Sequence, residues 1–139
     1  MNKILVVDDD WNVLEFLKTF FEKKGNIALI AKSGEEALVL VDQERPTMAL
    51  VDVTMPGMSG LELLQKIRAK MPDLVVAKIT GLHDEHLARK AASLGAYSYV
   101  TKPFDLHYLE LVVLTGLMMC GEEEKSKEKR LSIETPERS

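Results

Sequence analysis

The sequence predicts an α/β fold, a doubly wound five-stranded parallel sheet flanked by five helices. Three observations carry that expectation. Short uninterrupted apolar runs alternate with stretches whose apolar residues recur at helical spacing. The resulting βα units repeat every 20–25 residues or so, as in parallel sheets joined by helical crossovers. The runs are apolar at consecutive rather than alternate positions, the pattern of strands covered on both faces.

The elements follow in order. Ile4-Leu5-Val6-Val7 is the first strand. Val13, Leu14, Phe16, Leu17, Phe20 and Phe21 then fall on one helical face, and Gly25 is the stop signal. Ile27 to Ala31 is the second strand. Ser33-Gly34-Glu35-Glu36 is a capping-box signature that opens a helix through Leu38 and Val41, broken by Pro46. Met48-Ala49-Leu50-Val51 is the third strand and ends at Asp52. Ser59-Gly60-Leu61-Glu62 repeats the capping box and starts a helix carrying Leu61, Leu64, Ile67 and Met71. Leu74 to Ile79 is the fourth strand, Leu87 to Leu94 a short helix, and Tyr97 to Thr101 the fifth strand. The last helix is expected from Asp105 to Met119.

Of 139 residues, 46% are apolar and 29% charged, ordinary values for a soluble globular chain. One domain is expected over 1–120, followed by a tail over 121–139 in which eleven of nineteen residues are charged. Such a tail cannot offset its ordering entropy by burial and reads as a frayed terminus or a linker toward an effector domain. The single Cys120 excludes an internal disulfide framework and fits a reducing compartment. Met1-Asn2-Lys3 runs straight into a strand, so no secretory leader is expected. The uncharged stretch from Leu111 to Cys120 is too short to cross a bilayer. A net charge of −4 argues against direct nucleic-acid binding. The chain reads as cytoplasmic.

Chemistry is expected at the strand ends. In doubly wound folds, ligands sit beyond the carboxyl ends of the strands, where the strand order reverses. The first strand ends in Asp8, Asp9 and Asp10, the third in Asp52, the fourth in Thr80 and the fifth in Lys102. Crowded carboxylates repel and stay charged only around a cation, and hard oxygen ligands in an incomplete set suit Mg²⁺. An ammonium and a hydroxyl beside them complete a set suited to phosphoryl transfer, with the most central carboxylate as nucleophile. Asp8 to Asp10 alternatively complement a helix N-terminus, and Asp10 reads as a cap. Trp11 reads as a loop aromatic near enough to report metal binding. His83, His86 and His107 read as solvated helix starts, and Cys120 as incidental.

From Lys3 to about Met119 the chain resembles the receiver domain of bacterial two-component response regulators, of the chemotaxis-regulator type. The resemblance rests on Val6-Val7-Asp8-Asp9-Asp10, the stretch from Leu50 through Asp52 to Pro56-Gly57-Met58-Ser59-Gly60, Ile79-Thr80-Gly81, and Gly95 through Lys102-Pro103-Phe104. It implies a flavodoxin-like sheet of order 2-1-3-4-5. It implies that Asp52 accepts a phosphoryl group from the phosphohistidine of a sensor histidine kinase. Asp8, Asp9, Asp52 and the backbone carbonyl of Thr54 would then hold Mg²⁺. Thr80 would close on the phosphate, Lys102 would pair with it, and Tyr99 would turn between exposed and buried positions. A cis Lys102–Pro103 bond is also implied. On this reading the chain is a switch, catalysing only its own phosphorylation and dephosphorylation rather than acting as an enzyme on a metabolite.

Other features qualify that reading. The last helix is apolar on more than one face, which suggests a homodimer or effector surface built from the helix over 87–94, the fifth strand and the last helix. Thr54 and Leu82 flank the phosphoryl position, and an apolar Leu82 should hinder an attacking water and lengthen the phosphoryl lifetime. Lys78 within a doubly buried strand has no explanation in the pattern. A haloacid-dehalogenase-type phosphatase is the alternative enzyme reading, weakened because Trp11 stands where its motif wants Thr or Val. A receiver-like binding module that is never phosphorylated is the other alternative.

Overall fold

The continuous apolar runs become strands, the central ones buried on both faces, while the run over 27–31 takes an edge and stays partly exposed. The computed structural model describes residues 2–53, 55, 57–80 and 97–119. In it β1 (Lys3–Val7), β2 (Ile27–Ala31), β3 (Met48–Asp52), β4 (Val75–Thr80) and β5 (Ser98–Thr101) form one parallel sheet of order β2-β1-β3-β4-β5. The expected topology is therefore present. Helices α1 (Trp11–Lys23), α2 (Gly34–Glu44) and α3 (Gly60–Lys70) and a helix over 106–119 cover it. The helix expected over 87–94 and the tail over 121–139 lie outside the described residues, so four of the five helices are seen.

Adjacent residues of one strand feed opposite layers. Ile4 and Val6 pack with Leu14, Leu17 and Phe21 of α1 and with Leu109, Val112 and Val113 of the 106–119 helix. Leu5 and Val7 pack with Ala37 and Val41 of α2 and with Leu63, Leu64 and Ile67 of α3. All four of these β1 residues are fully buried. A fully buried leucine or isoleucine contributes roughly 1.5–3 kcal/mol by leaving water, so these two layers dominate the stability.

Side chains at the helix starts satisfy backbone donors that would otherwise lack partners. An Asp10 carboxylate oxygen accepts from the Asn12 N–H at 2.9 Å, confirming the cap. Ser33 Oγ accepts from the Glu36 N–H at 3.2 Å, while Glu36 returns to the N–H of Lys32 at 2.8 Å, one residue before the cap. Ser59 Oγ accepts from the Glu62 N–H at 3.1 Å. Asp105 caps the 106–119 helix through the N–H groups of His107 and Tyr108. Gly25 ends the turn after α1 at φ +85°, a conformation that other residues rarely adopt.

The packing differs from expectation in three places. Phe16 is not part of the core stripe: it is 44% exposed and stacks on Phe104, ring centroids 5.9 Å apart. In α3 the core takes Leu63 with Leu64 and Ile67, while Leu61 and Met71, the residue that ends the helix, are only partly buried. Trp11 is the first residue of α1, not a loop residue, and Lys32 Nζ lies 5.7 Å from its ring centroid.

Candidate functional site

Strand order reverses between β1 and β3, which lie side by side with Val7 opposite Val51. That register brings Asp8 and Asp52 together at the carboxyl rim. Asp52 lies opposite Ile79, and Thr80 opposite Thr101, so the ends of β4 and β5 reach the same rim. Residues 44 apart in the chain become neighbours through register alone.

The carboxylates and the lysine do meet. Asp8 is fully buried and Asp52 nearly so, while Asp9 is exposed. Ligand oxygens of Asp8, Asp9 and Asp52 lie within 4.8 Å of one another. Lys102 Nζ is 2.8 Å from Asp8 Oδ2 and 3.5 Å from Asp52 Oδ2. Asp8 Oδ1 accepts from the Asp10 N–H at 2.9 Å. Its Oδ2 is buried and, ion pair apart, takes no hydrogen bond among the described residues.

Two carboxylates share the Lys102 ammonium, and burial and charge together shift the proton affinities of Asp8 and Lys102. Burial pushes the Asp8 carboxyl above the usual carboxylate range, and the Asp52 charge adds to that rise. Lys102 and the Asp10 N–H oppose it without cancelling it. For Lys102, burial works against the charged form, but Asp8 and Asp52 outweigh it, so its ammonium titrates above the ordinary lysine range. A hard divalent cation fits this donor set: several oxygens in reach, excess negative charge, and a buried oxygen with unused acceptor capacity.

Tyr99 lies on β5 and is 42% exposed. Directly opposite it on β4 is Lys78, only 3% exposed, with Nζ 4.9 Å from the Tyr99 ring centroid. Burial lowers the Lys78 proton affinity. The Lys102–Pro103 bond is cis. His107 is exposed in the first turn of its helix. Thr80 ends β4, but its hydroxyl, Thr54, Leu82, His83, His86 and Cys120 lie outside the described residues and side chains.

Two features of the site escaped the sequence reading. Gly60 at the start of α3 lies so close to β3 that a Cβ there would overlap the Asp52 carbonyl oxygen and Val53 Cα. Phe104, two residues beyond Lys102, is held against α1 by Phe16. Each depends on a partner distant in sequence, though the Ser59-Gly60 pair was visible as part of a cap.

Comparison with known proteins gives a consistent result. Residues 4–114 match the family model described as response regulator receiver domain. The chain is 34% identical over 104 residues to sporulation initiation phosphotransferase F of Bacillus subtilis, covering 75% of this chain and 84% of that protein. It is 36% identical over 114 residues to a cyclic di-GMP phosphodiesterase of Thermotoga maritima, covering 82% of this chain but 30% of that protein. The chain thus spans less than a third of that longer relative. Among solved structures, a CheY-like response regulator receiver domain protein from Methanospirillum hungatei superposes with a TM-score of 0.84. That likeness is at 29% identity and covers 88% of this chain and 98% of that one.

Proposed function

The chain belongs to the response regulator receiver domain family, the phosphorylatable switches of two-component signalling, and from that premise we propose that Asp52 is its phosphoacceptor. The observation that carries the assignment is the Lys102 ammonium lying between Asp8 and Asp52 at the carboxyl rim of the sheet. A sensor histidine kinase is the donor. An Asp52 carboxylate oxygen forms a bond to phosphorus as the P–N bond of the phosphohistidine breaks, and the imidazole leaves with the electron pair. Asp8, Asp9, Asp52 and, by the family resemblance, the Thr54 carbonyl would hold Mg²⁺, which when bound would supply charge neutralisation for the transferring group.

The chain's own groups do the rest. Asp8 and Asp9 fix the acidic end of the site, and Lys102 pairs with the new phosphoryl oxygens. The phosphoryl group adds about −1.5 to −2 charge, enough to recruit Lys102 and the Thr80 hydroxyl through charge-assisted hydrogen bonds. Tyr99 turns inward as Thr80 shifts. Converting such an equilibrium from 1:99 to 99:1 takes about 5.5 kcal/mol of differential interaction.

The receiver comprises residues 1–120, acts in the cytoplasm, and uses the segment 121–139 as a tail or linker. Its chemistry is limited to its own phosphorylation and dephosphorylation. The output surface, for an effector or a second copy, includes Tyr99 and the outer face of the 106–119 helix. There Leu111, Leu114 and Met118 are more than half exposed at spacings of three and four. No helix among the described residues is long and apolar enough to cross a membrane.

The test is labelling with a radioactive phosphodonor and Mg²⁺. Wild type takes up label and Asp52→Asn does not; label retained by that variant rejects Asp52. Sustained turnover of p-nitrophenyl phosphate would favour the phosphatase alternative instead.

A further inference from the structure

The one buried cation on the described strands that the phosphoryl site does not use is Lys78. It lies inside β4, between β3 and β5, where an apolar side chain would be expected and a charge is costly. The register sets it opposite Tyr99, and its ammonium rests 4.9 Å from the ring centroid. That is inside the range of about 6 Å over which a cation is drawn to an aromatic face, and the attraction strengthens when the pair is desolvated. The ring it touches is the half-exposed Tyr99, and Thr80 follows Lys78 by two residues along the same strand.

We propose that Lys78 is a positioning residue for the switch, its buried ammonium holding the Tyr99 ring in the outward arrangement seen here. The inference rests on the reading of Tyr99 as the residue that turns. Rotation of the ring inward carries its face away from the ammonium and gives up that contact. Lys78 therefore weights the resting state, and the phosphoryl group must overcome that weight before the surface changes. A chain with an apolar residue at this position would switch at lower occupancy of the acceptor site.

The full chain, with Mg²⁺ and beryllofluoride as a phosphoryl mimic, tests this. Lys78→Met should tighten half-saturation by beryllofluoride roughly two- to thirty-fold, the span from an exposed to a desolvated cation–ring contact. Lys78→Arg, which keeps the cation, should remain near wild type. The methionine effect should persist with Tyr99→Phe, which keeps the ring, and vanish with Tyr99→Leu. An equal effect in the Tyr99→Leu background, or none in a folded Lys78→Met protein, overturns the proposal.

A second readout needs no mimic. With fluorotyrosine at position 99, the ¹⁹F resonance of the free protein should move in Lys78→Met and stay in Lys78→Arg; an unmoved resonance in Lys78→Met also overturns it. Wild type that binds no beryllofluoride would reject the acceptor site itself, and the fluorine measurement would still decide whether Lys78 holds the ring.

Discussion

Asp8 shows how a single residue trades stability for chemistry. Its carboxyl titrates above the ordinary value of 3.8 because burial, then the Asp52 charge, penalise the ionised form. Between 3.8 and that raised native value the folded state keeps a proton that the unfolded chain has lost. Stability therefore falls as pH rises through this window, and the deficit persists at neutral pH. Asp8→Asn removes it while preserving shape and an acceptor for Lys102. The variant should melt a few degrees higher than wild type at pH 7 without metal, and the difference should shrink toward pH 3. Calorimetry across pH checks this, and an Asn variant that melts lower at pH 7 would contradict it. Lys102 acts in the opposite sense: its raised proton affinity contributes fully below 10.5 and is lost only as pH climbs past its native value.

At the scale of elements, the junction between β3 and α3 is the most constrained. Gly60→Ala would gain up to about 1 kcal/mol in helix propensity. Its Cβ, however, meets the backbone of Asp52 and Val53, which cannot move without displacing the end of β3 that carries the proposed acceptor. We expect a net loss of about 1–3 kcal/mol in urea unfolding, with slower phosphodonor labelling because Asp52 shifts. Gly116→Ala meets side chains rather than backbone, the flexible end of Met48 and, less closely, the Tyr97 ring, and should cost less. The same contrast explains what the sequence could reveal. Ile4 to Val7 read as a strand because burial on both faces leaves every position apolar. Asp10, Ser33 and Ser59 read as caps because capping is local. Lys78 was opaque because its partner lies 21 residues away across a sheet register, and Gly60 because the backbone it touches belongs to another element. Phe16 misled for the same reason: helical spacing assigns a face, but only the arrival of Phe104 decides what that face touches.

For the whole molecule, the proposed metal site would make folding and metal binding one equilibrium. On the proposed reading, a divalent cation would join the clustered Asp8, Asp9 and Asp52 oxygens in the folded chain alone, because the unfolded chain holds no such cluster. A ligand that binds only the folded state stabilises it by about 2.7 kcal/mol at a hundredfold excess over its Kd. For a chain of this size that corresponds to a rise in melting temperature of about 10 °C. Magnesium should therefore raise the thermal midpoint of wild type saturably, chelator should reverse the rise, and Asp8→Asn should show neither. Trp11, three residues beyond Asp8 and 47% exposed at the start of α1, supplies an independent signal, and its fluorescence should change along the same titration curve. A midpoint indifferent to magnesium in wild type would mean that Lys102 alone balances the carboxylates. The acidic rim would then be a closed ion-pair network, with no room for a metal-assisted phosphoryl group.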